Sequence, residues 1–234
     1  MQSHTPHPLN NPVLHSLKQT HHPYAIAAPN IAFYHPDYCP FGGFDSEEGI
    51  EASIDQYAQL TPSFYIVGER PKFSLSLRLE KELVCHQMVL EHKIELIDPD
   101  SIVALVPEHK EELFNLVNLV QPGYFKKKTS DLGAYFGIFK NGALVAVTGE
   151  RMKMEGFTEV SAVVTHPQHT GKGYASALVA FTTNQIFEQN KIPYLHVAST
   201  NEHAIRLYEK LGFRTRRQIS FWNLTSTTGG YVSH

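Results

Sequence analysis

The sequence predicts an α/β protein of the α+β kind, in which a mixed, mostly antiparallel sheet with flanking helices follows a small α/β N-terminal domain. Three observations predict it. Strand-like runs joined by hairpin signals fill residues 134–166, a polar glycine-punctuated loop then leads from a strand directly into a helix, and strand and helix patterns alternate up to residue 224. With 234 residues, 42% of them hydrophobic, the chain is long enough to bury a full core. Its formal charge of −3 provides no broad basic field, so nucleic acid is not expected as a partner and any anion site must be local. The two cysteines, Cys39 and Cys85, lie far apart and form no C-x-x-C, and the N-terminus lacks a basic-then-apolar leader, so the expected location is the reducing cytoplasm. No apolar stretch approaches the roughly 18 residues that span a bilayer, and no membrane role is expected.

Residues 1–29 are rich in His, Pro and Asn. His4, His7, His15, His21 and His22 are spaced neither as a zinc finger nor as a helical i, i+4 pair, so this stretch reads as a solvated, flexible arm and no metal site is expected. Residues 30–97 carry short apolar runs, "NIAFY", "SFYIVGERP", "FSLSLRLE" and "CHQMVLE", around a helix "SEEGIEASIDQYAQL" with Ser46 as its expected cap. A new domain, residues 98–234, begins with a strand at 102–106. Pro107, Glu108, Glu111 and Glu112 suit a helix entrance, Leu113, Leu116, Val117 and Val120 form its apolar stripe, and Pro122-Gly123 closes it. Three antiparallel strands follow, joined at Asn141-Gly142 and at Glu155-Gly156. A helix over 173–189, a strand over 194–198, a helix over 201–211 and a final strand region over 213–224 complete the chain; Trp222, the single tryptophan, reads as packing.

The loop in "THPQHTGKGYASALVA" has little side chain of its own. It opens a helix, so the first-turn N–H groups have no intrahelical partners and point outward with the positive end of the helix dipole. That arrangement suits phosphate. A Cβ at Gly171 or Gly173 would obstruct an approaching anion or penalise the positive φ that turns several N–H groups inward, and Lys172 adds one positive charge. A bare G-x-G is also common as a simple helix-start turn, and the spacing is neither a Walker A loop nor a G-x-G-x-x-G fingerprint.

The run Gln168, His169, Thr170, Gly171, Lys172, Gly173, Tyr174, Ala175 resembles the Q/R-x-x-G-x-G/A signature of the GNAT superfamily of acyl-CoA-dependent N-acyltransferases. Thirty residues on, "STNEHAIRLYEKLGF" resembles that superfamily's second signature, and the order of elements over about residues 101–224 is similar to its fold. "GERMKMEGFTEVSAVVTHPQHTGKGYA" looks closest to a bacterial branch related to the C-terminal domains of glycine N-acyltransferases. The resemblance implies that the loop holds the pyrophosphate of acetyl-CoA. It implies further that two central parallel strands splay apart, so that pantetheine amides add to the open edge at Ala162, Val163 and Val164, with the N–H of Val163 or Val164 steadying the oxyanion. Lys210 is placed near the adenosine 3′-phosphate, although a solvated lysine also explains it. Asn201 is first a helix cap and second a ligand contact.

The implied chemistry is attack by an amine on a thioester. The resemblance makes Tyr208 the acid for the leaving thiolate, while the i, i+3, i+4, i+7 stripe of Ala204, Leu207, Tyr208 and Leu211 reads equally as core. Glu150 and Glu159 are the candidate bases. If Glu155-Gly156 is a two-residue turn, Met154 pairs with Phe157, Met152 with Glu159 and Glu150 with Ser161, which brings the two carboxylates onto one face within reach of a shared water. A one-residue bulge would send them to opposite faces, and the plainer reading leaves Glu159 capping an exposed hairpin. Arg151 and Lys153 are expected on the face opposite Glu150, solvated. The sequence thus predicts an N-acetyltransferase that works by direct transfer from acetyl-CoA to the amine of a small molecule or peptide, without a metal, and leaves a homodimer open. The competing reading is a non-catalytic acyl-CoA-binding sensor.

Overall fold

The structure, a computed structural model, describes residues 7–96 and 101–227. The chain forms two compact units. One takes the residues up to Pro36, Pro40–Cys85 and those from Ile219 onward; the other takes Asp37–Cys39 and His86–Gln218. The division therefore falls at Cys85 rather than near residues 97–101, part of which lies outside the described residues, and the last strand returns to the first unit.

The first unit begins with α1 (Pro12–Lys18), capped by the side chain of Asn11, which accepts a hydrogen bond from Leu14 N–H. Leu9, Val13, Leu14 and Leu17 are almost wholly buried. The expected flexible arm is thus corrected for residues 7–29, because Val13, Leu14 and Leu17 on α1, with Leu9 in the 3-10 turn before it, give the segment a core face that its polar composition conceals. His4 lies outside the described residues. Strands β1 (Ala25–Ala27), β2 (Ile31–Tyr34) and β3 (Phe41–Phe44) pair antiparallel. Helix α2 (Ile50–Ala58) crosses over to β4 (Ser63–Gly68), which is parallel to β3. Gly49, at φ 71°, occupies the cap position expected of Ser46, whose hydroxyl accepts from Glu48 N–H in a local turn. The runs "FSLSLRLE" and "CHQMVLE" fuse into one long strand, β5 (Leu77–Val89), which passes from the first unit into the second. Ile31, Phe33, Ile54, Tyr57, Phe64 and Leu224 are central to the core of this unit. Trp222 packs beside them, its indole N–H donating to Gly68 O.

In the second unit β6 (Val103–Ala104) is shorter than the expected strand and borders β7 (Tyr135–Lys140). A one-turn 3-10 segment at Pro107–His109 leads into α3 (Lys110–Val120). Strands β8 (Ala143–Met154) and β9 (Phe157–Thr165) continue the antiparallel run, and α4 (Tyr174–Glu188) connects β9 to the parallel strand β10 (Ile192–Ala198). Helix α5 (Glu202–Lys210) and strand β11 (Arg214–Ser226) follow, β11 leaving the unit after Gln218. Within this unit the order after β5 is β10-β9-β8-β7-β6. Val179, Ile186 and Tyr208 of α4 and α5 pack on Val160, Leu195 and Val197, whereas Leu113, Leu116 and Val117 of α3 pack on Tyr135, Val147 and Val164. The two sets of helices thus cover opposite faces of the same strands, as the period of two requires.

Candidate active site

Gly171 and Gly173 have φ of +75° and +79°, and no protein atom outside the adjoining residues lies within 4 Å of where a Cβ on either would stand. Gly173 is the N-cap of α4, which has no side-chain cap, and the first helical bond runs from Ala177 N–H to Gly173 O. The N–H groups of Tyr174, Ala175 and Ser176 thus precede the helical ladder. The preceding turn is set by His166, whose Nδ1 accepts from Gln168 N–H, and by Thr170, whose hydroxyl donates to Pro167 O. Gln168, Thr170, Gly171, Lys172 and Gly173 are exposed, His169, Tyr174 and Ala175 half-buried. A buried ring nitrogen of His169, Nδ1, finds no partner among the described residues. A cavity of about 410 Å3 adjoins the loop, lined in part by Lys172, Gly173, Tyr174, Ser176 and Lys140. Glu95 also lines this cavity, and the open loop, with its left-handed glycines and Lys172, fits a pyrophosphate held by backbone donors.

The strand entering this loop is bent. Gly149 pairs with Ser161 and Val147 with Val164, so Ala162 and Val163 lie in a bulge, and Ala162 has φ of +52°, a region costly for a residue with a Cβ. On the other edge β9 pairs with β10 from Ile192↔Phe157 only to Tyr194↔Glu159, although both strands run on. The expected splay is therefore present, opening between Val160 and Thr165 on one side and Leu195 and Ala198 on the other. An edge left open in this way has main-chain groups available to amides of a ligand.

Tyr208 lies in the cluster of Val160, Val179, Leu195 and Val197, 7% exposed, against the edge of Phe213. Burial pushes its hydroxyl up to about 12, and the hydroxyl has no protein partner among the described residues. Asn201 caps α5, its side chain accepting from Ala204 N–H at 3.1 Å. Lys210 is exposed in the last turn of that helix.

The carboxylates do not share a face. Met154↔Phe157 pairs as expected and Lys153 faces Thr158, but then the register shifts, and Glu150 stands opposite Val160 instead of Ser161. Arg151 and Met152 together oppose Glu159, so the bulge sends Glu150 to the α4 side and Glu159 to the α3 side. Glu150 is fully buried and holds three local partners, Lys153 Nζ at 2.6 Å, Gln189 Nε2 at 3.2 Å and Ala134 N–H at 3.3 Å. Lys153, expected on the opposite face, is thus its ion-pair partner. Glu159 is 1% exposed, which removes the exposed-hairpin reading. Arg151, expected to be solvated, grips it through Nε to Oε2 at 2.7 Å and Nη2 to Oε1 at 3.0 Å, and His196 Nδ1 lies 2.8 Å from Oε1. Burial pushes this carboxyl up, but the Arg151 charge and the hydrogen bonds from His196 and Arg151 outweigh it and hold it at about 2. Two further side chains extend the cluster: Gln87 Nε2 is 3.2 Å from His196 Nε2, and Arg216 Nη1 donates to Gln87 Oε1 at 3.0 Å. Sequence reasoning passed over His196, Gln87 and Arg216. The one signal was His196 inside the otherwise apolar run YLHVA; Gln87 follows His86, and Arg216 lies in the polar run RTRRQ, where nothing marks it out.

A family model described as FR47-like protein matches residues 135–222, the stretch that carries the bent strand, the loop and α5. A search of the curated proteins finds no match. Among solved structures, a GNAT-family protein from Novosphingobium aromaticivorans DSM 12444 is 30% identical, with 95% of this chain and 100% of that chain covered at a TM-score of 0.87. A GCN5-related N-acetyltransferase from Kribbella flavida, 16% identical, covers 88% of this chain and 90% of its own at 0.57. A GCN5-related N-acetyltransferase-like protein from Streptococcus suis 89/1591, also 16% identical, covers 83% and 84% at 0.54. The last two show a common fold. The first, matched over its whole length and carrying the same architecture through both units, shows more: this chain belongs to the GNAT family.

Proposed function

We propose that the protein is an acyl-CoA-dependent N-acyltransferase, which moves an acetyl group from acetyl-CoA to a primary amine of a small molecule or peptide by direct attack. The observation that carries this reading is the continuity of the loop at Gly171 and Gly173 with the open edge of β9 beyond Ala162. Backbone donors at one end suit a pyrophosphate, and a strand edge at the other suits the two amides of pantetheine. The N–H of Val163 or Val164, turned by the bulge, is the proposed donor to the thioester oxyanion. Lys210 and Asn201 are proposed as contacts near the adenosine, Asn201 through the half of its amide that the cap leaves.

Direct transfer needs no acyl-enzyme, and both cysteines are buried. The leaving thiolate calls for a proton donor, and Tyr208, at the packed junction of α5 with β9 and β10, is the proposed one. Burial raises the Tyr208 hydroxyl well above its ordinary value, so it holds its proton against full transfer to a thiolate. Tyr208 is therefore read as a hydrogen-bond donor to the developing thiolate, with the proton arriving as the amine nitrogen gives it up. The cysteines also suit a reducing cytoplasm, the proposed location, and among the described residues no helix is long and apolar enough to cross a membrane.

Calorimetry with acetyl-CoA, followed by thiol release with a panel of primary amines, tests the reading. Binding with amine-dependent thiol release is the expected result. Binding without release by any amine points to the acyl-CoA sensor instead, and no binding at all removes both.

A further inference from the structure

The polar cluster behind the splay is ordered by what each group is able to donate. Arg216 has only donors, so Gln87 must present its oxygen to Nη1 and turn its NH2 toward His196. The Nε2 of His196 then accepts, which leaves the ring proton on Nδ1, aimed at Oε1 of Glu159. Glu159 is in turn clamped by both arms of Arg151. The chain of bonds runs through β11, β5, β10, β9 and β8 and fixes one tautomer. The ring is thus held between the Glu159 carboxylate at Nδ1 and the Gln87 amide at Nε2, itself locked by Arg216. Tyr194 touches the ring edge-on at 5.6 Å and gives its own hydroxyl to Met152 O. The His196 side chain is 3% exposed while the residue as a whole is not buried, so its open part is main chain on the splayed strand.

We propose that His196, oriented by Glu159, is the base that takes the proton from the acceptor ammonium; this rests on the acyl-transfer reading above. Glu159 itself is a poor sink, being doubly bonded to Arg151 and held at about 2. The ring beside it retains a lone pair at Nε2 and gains a carboxylate partner for the charge it would acquire, the relation of base to orienting group that recurs in acid–base catalysis. His196 stands two residues beyond Tyr194, the last residue of β10 that pairs with β9, where the strands have begun to part. In the proposed step the ammonium proton passes to Nε2, directly or through one water, as Gln87 yields its 3.2 Å bond. The freed lone pair forms the C–N bond, the C–S pair leaves on sulfur, and the second nitrogen proton ends on the thiol. His196 then returns its proton to solvent, so one proton is released for each amide formed. Arg151 and Gln87 are positioning residues in this scheme, the first keeping Glu159 ionised and the second holding the ring through Nε2.

Three measurements on the full chain test this. His196→Gln, which retains a donor for Glu159, is expected to bind acetyl-CoA as the wild type does while kcat falls roughly 10²-fold or more and the acid limb of the pH profile disappears. Gln87→Leu removes the donor that holds the ring from its Nε2 side, so the Nδ1–H preference at His196 is expected to be lost and kcat to fall, without loss of acetyl-CoA affinity. Nitrogen-edited NMR of the imidazoles, assigned by difference from His196→Gln, is expected to show the Nδ1–H tautomer for His196 in the wild type at neutral pH. Wild-type turnover with an unchanged acid limb in His196→Gln overturns the base alone, as does wild-type turnover in Gln87→Leu or an Nε2–H tautomer in the wild type. A wild-type protein that binds acetyl-CoA but acylates no amine overturns the functional reading and the base together.

Discussion

Arg151 meets Glu159 with two parallel hydrogen bonds, 2.7 Å and 3.0 Å long, between side chains that are 13% and 1% exposed. A planar fork against a carboxylate is a specific geometry, and in this setting removal of one partner strands a buried charge. Arg151→Met should therefore destabilise the fold by about 3–5 kcal/mol, read as a lowered denaturant midpoint with an unchanged slope. Adding Glu159→Gln to that variant should restore part of the loss. A single variant as stable as the wild type would show that the pair contributes nothing net.

Glu159 also dictates a response to acid. Its folded-state value of about 2 lies below the ordinary 4.5, so its contribution is fully present above the unfolded value and is lost as pH falls from there toward 2. The loss should amount to about 3 kcal/mol over that window. Unfolding free energies measured between pH 5 and 2 should fall less steeply in Glu159→Gln than in the wild type.

Acetyl-CoA binding should depend on bare backbone in the loop. Gly173→Glu places a carboxylate where the anion is proposed to lie and imposes a side chain on a left-handed residue, at roughly 1–2 kcal/mol. Because the Cβ meets no protein atom within 4 Å, the variant should fold. Calorimetry should show affinity for acetyl-CoA reduced by at least 10-fold, and a folded variant with unchanged affinity would displace the pyrophosphate from this loop.

Tyr208→Phe keeps the ring in its contact with Phe213 and deletes a hydroxyl that has no protein partner among the described residues. Thermal stability should change little while kcat falls by roughly 10²-fold, with acetyl-CoA affinity retained. Undiminished turnover would leave Tyr208 a packing residue.

Much of the second unit was legible in the sequence because its signals are local. Asn141-Gly142 and Glu155-Gly156 turn where expected, and the loop at 170–173 opens α4 with two positive φ values. What escaped depends on partners distant in sequence. The bulge opposite Glu159 moved Glu150 away from Ser161, and periodicity carries no mark of an inserted residue. His196 became chemically interesting only through Gln87, 109 residues earlier, and Glu159, 37 residues earlier. The N-terminal segment was misread for a different reason: the apolar residues of α1 and of the turn before it lay among histidines, prolines and asparagines that dominated its composition.

The return of the last strand to the first unit, where β11 pairs antiparallel with β4, also sets a timetable for synthesis. Asn223 reaches back 160 residues to Ser63, and Ser220 through Thr225 complete the sheet to which Ser63 through Gly68 belong. The second unit has all of its strands once Gln218 has been made, whereas the first waits for Phe221 and Leu224. The half of the molecule that leaves the ribosome first is therefore the half that closes last. Until it does, the edge of β4 and the apolar residues around Phe64 and Ile66 are open to wrong partners, and chain termination even ten residues before Ser226 would leave them so permanently.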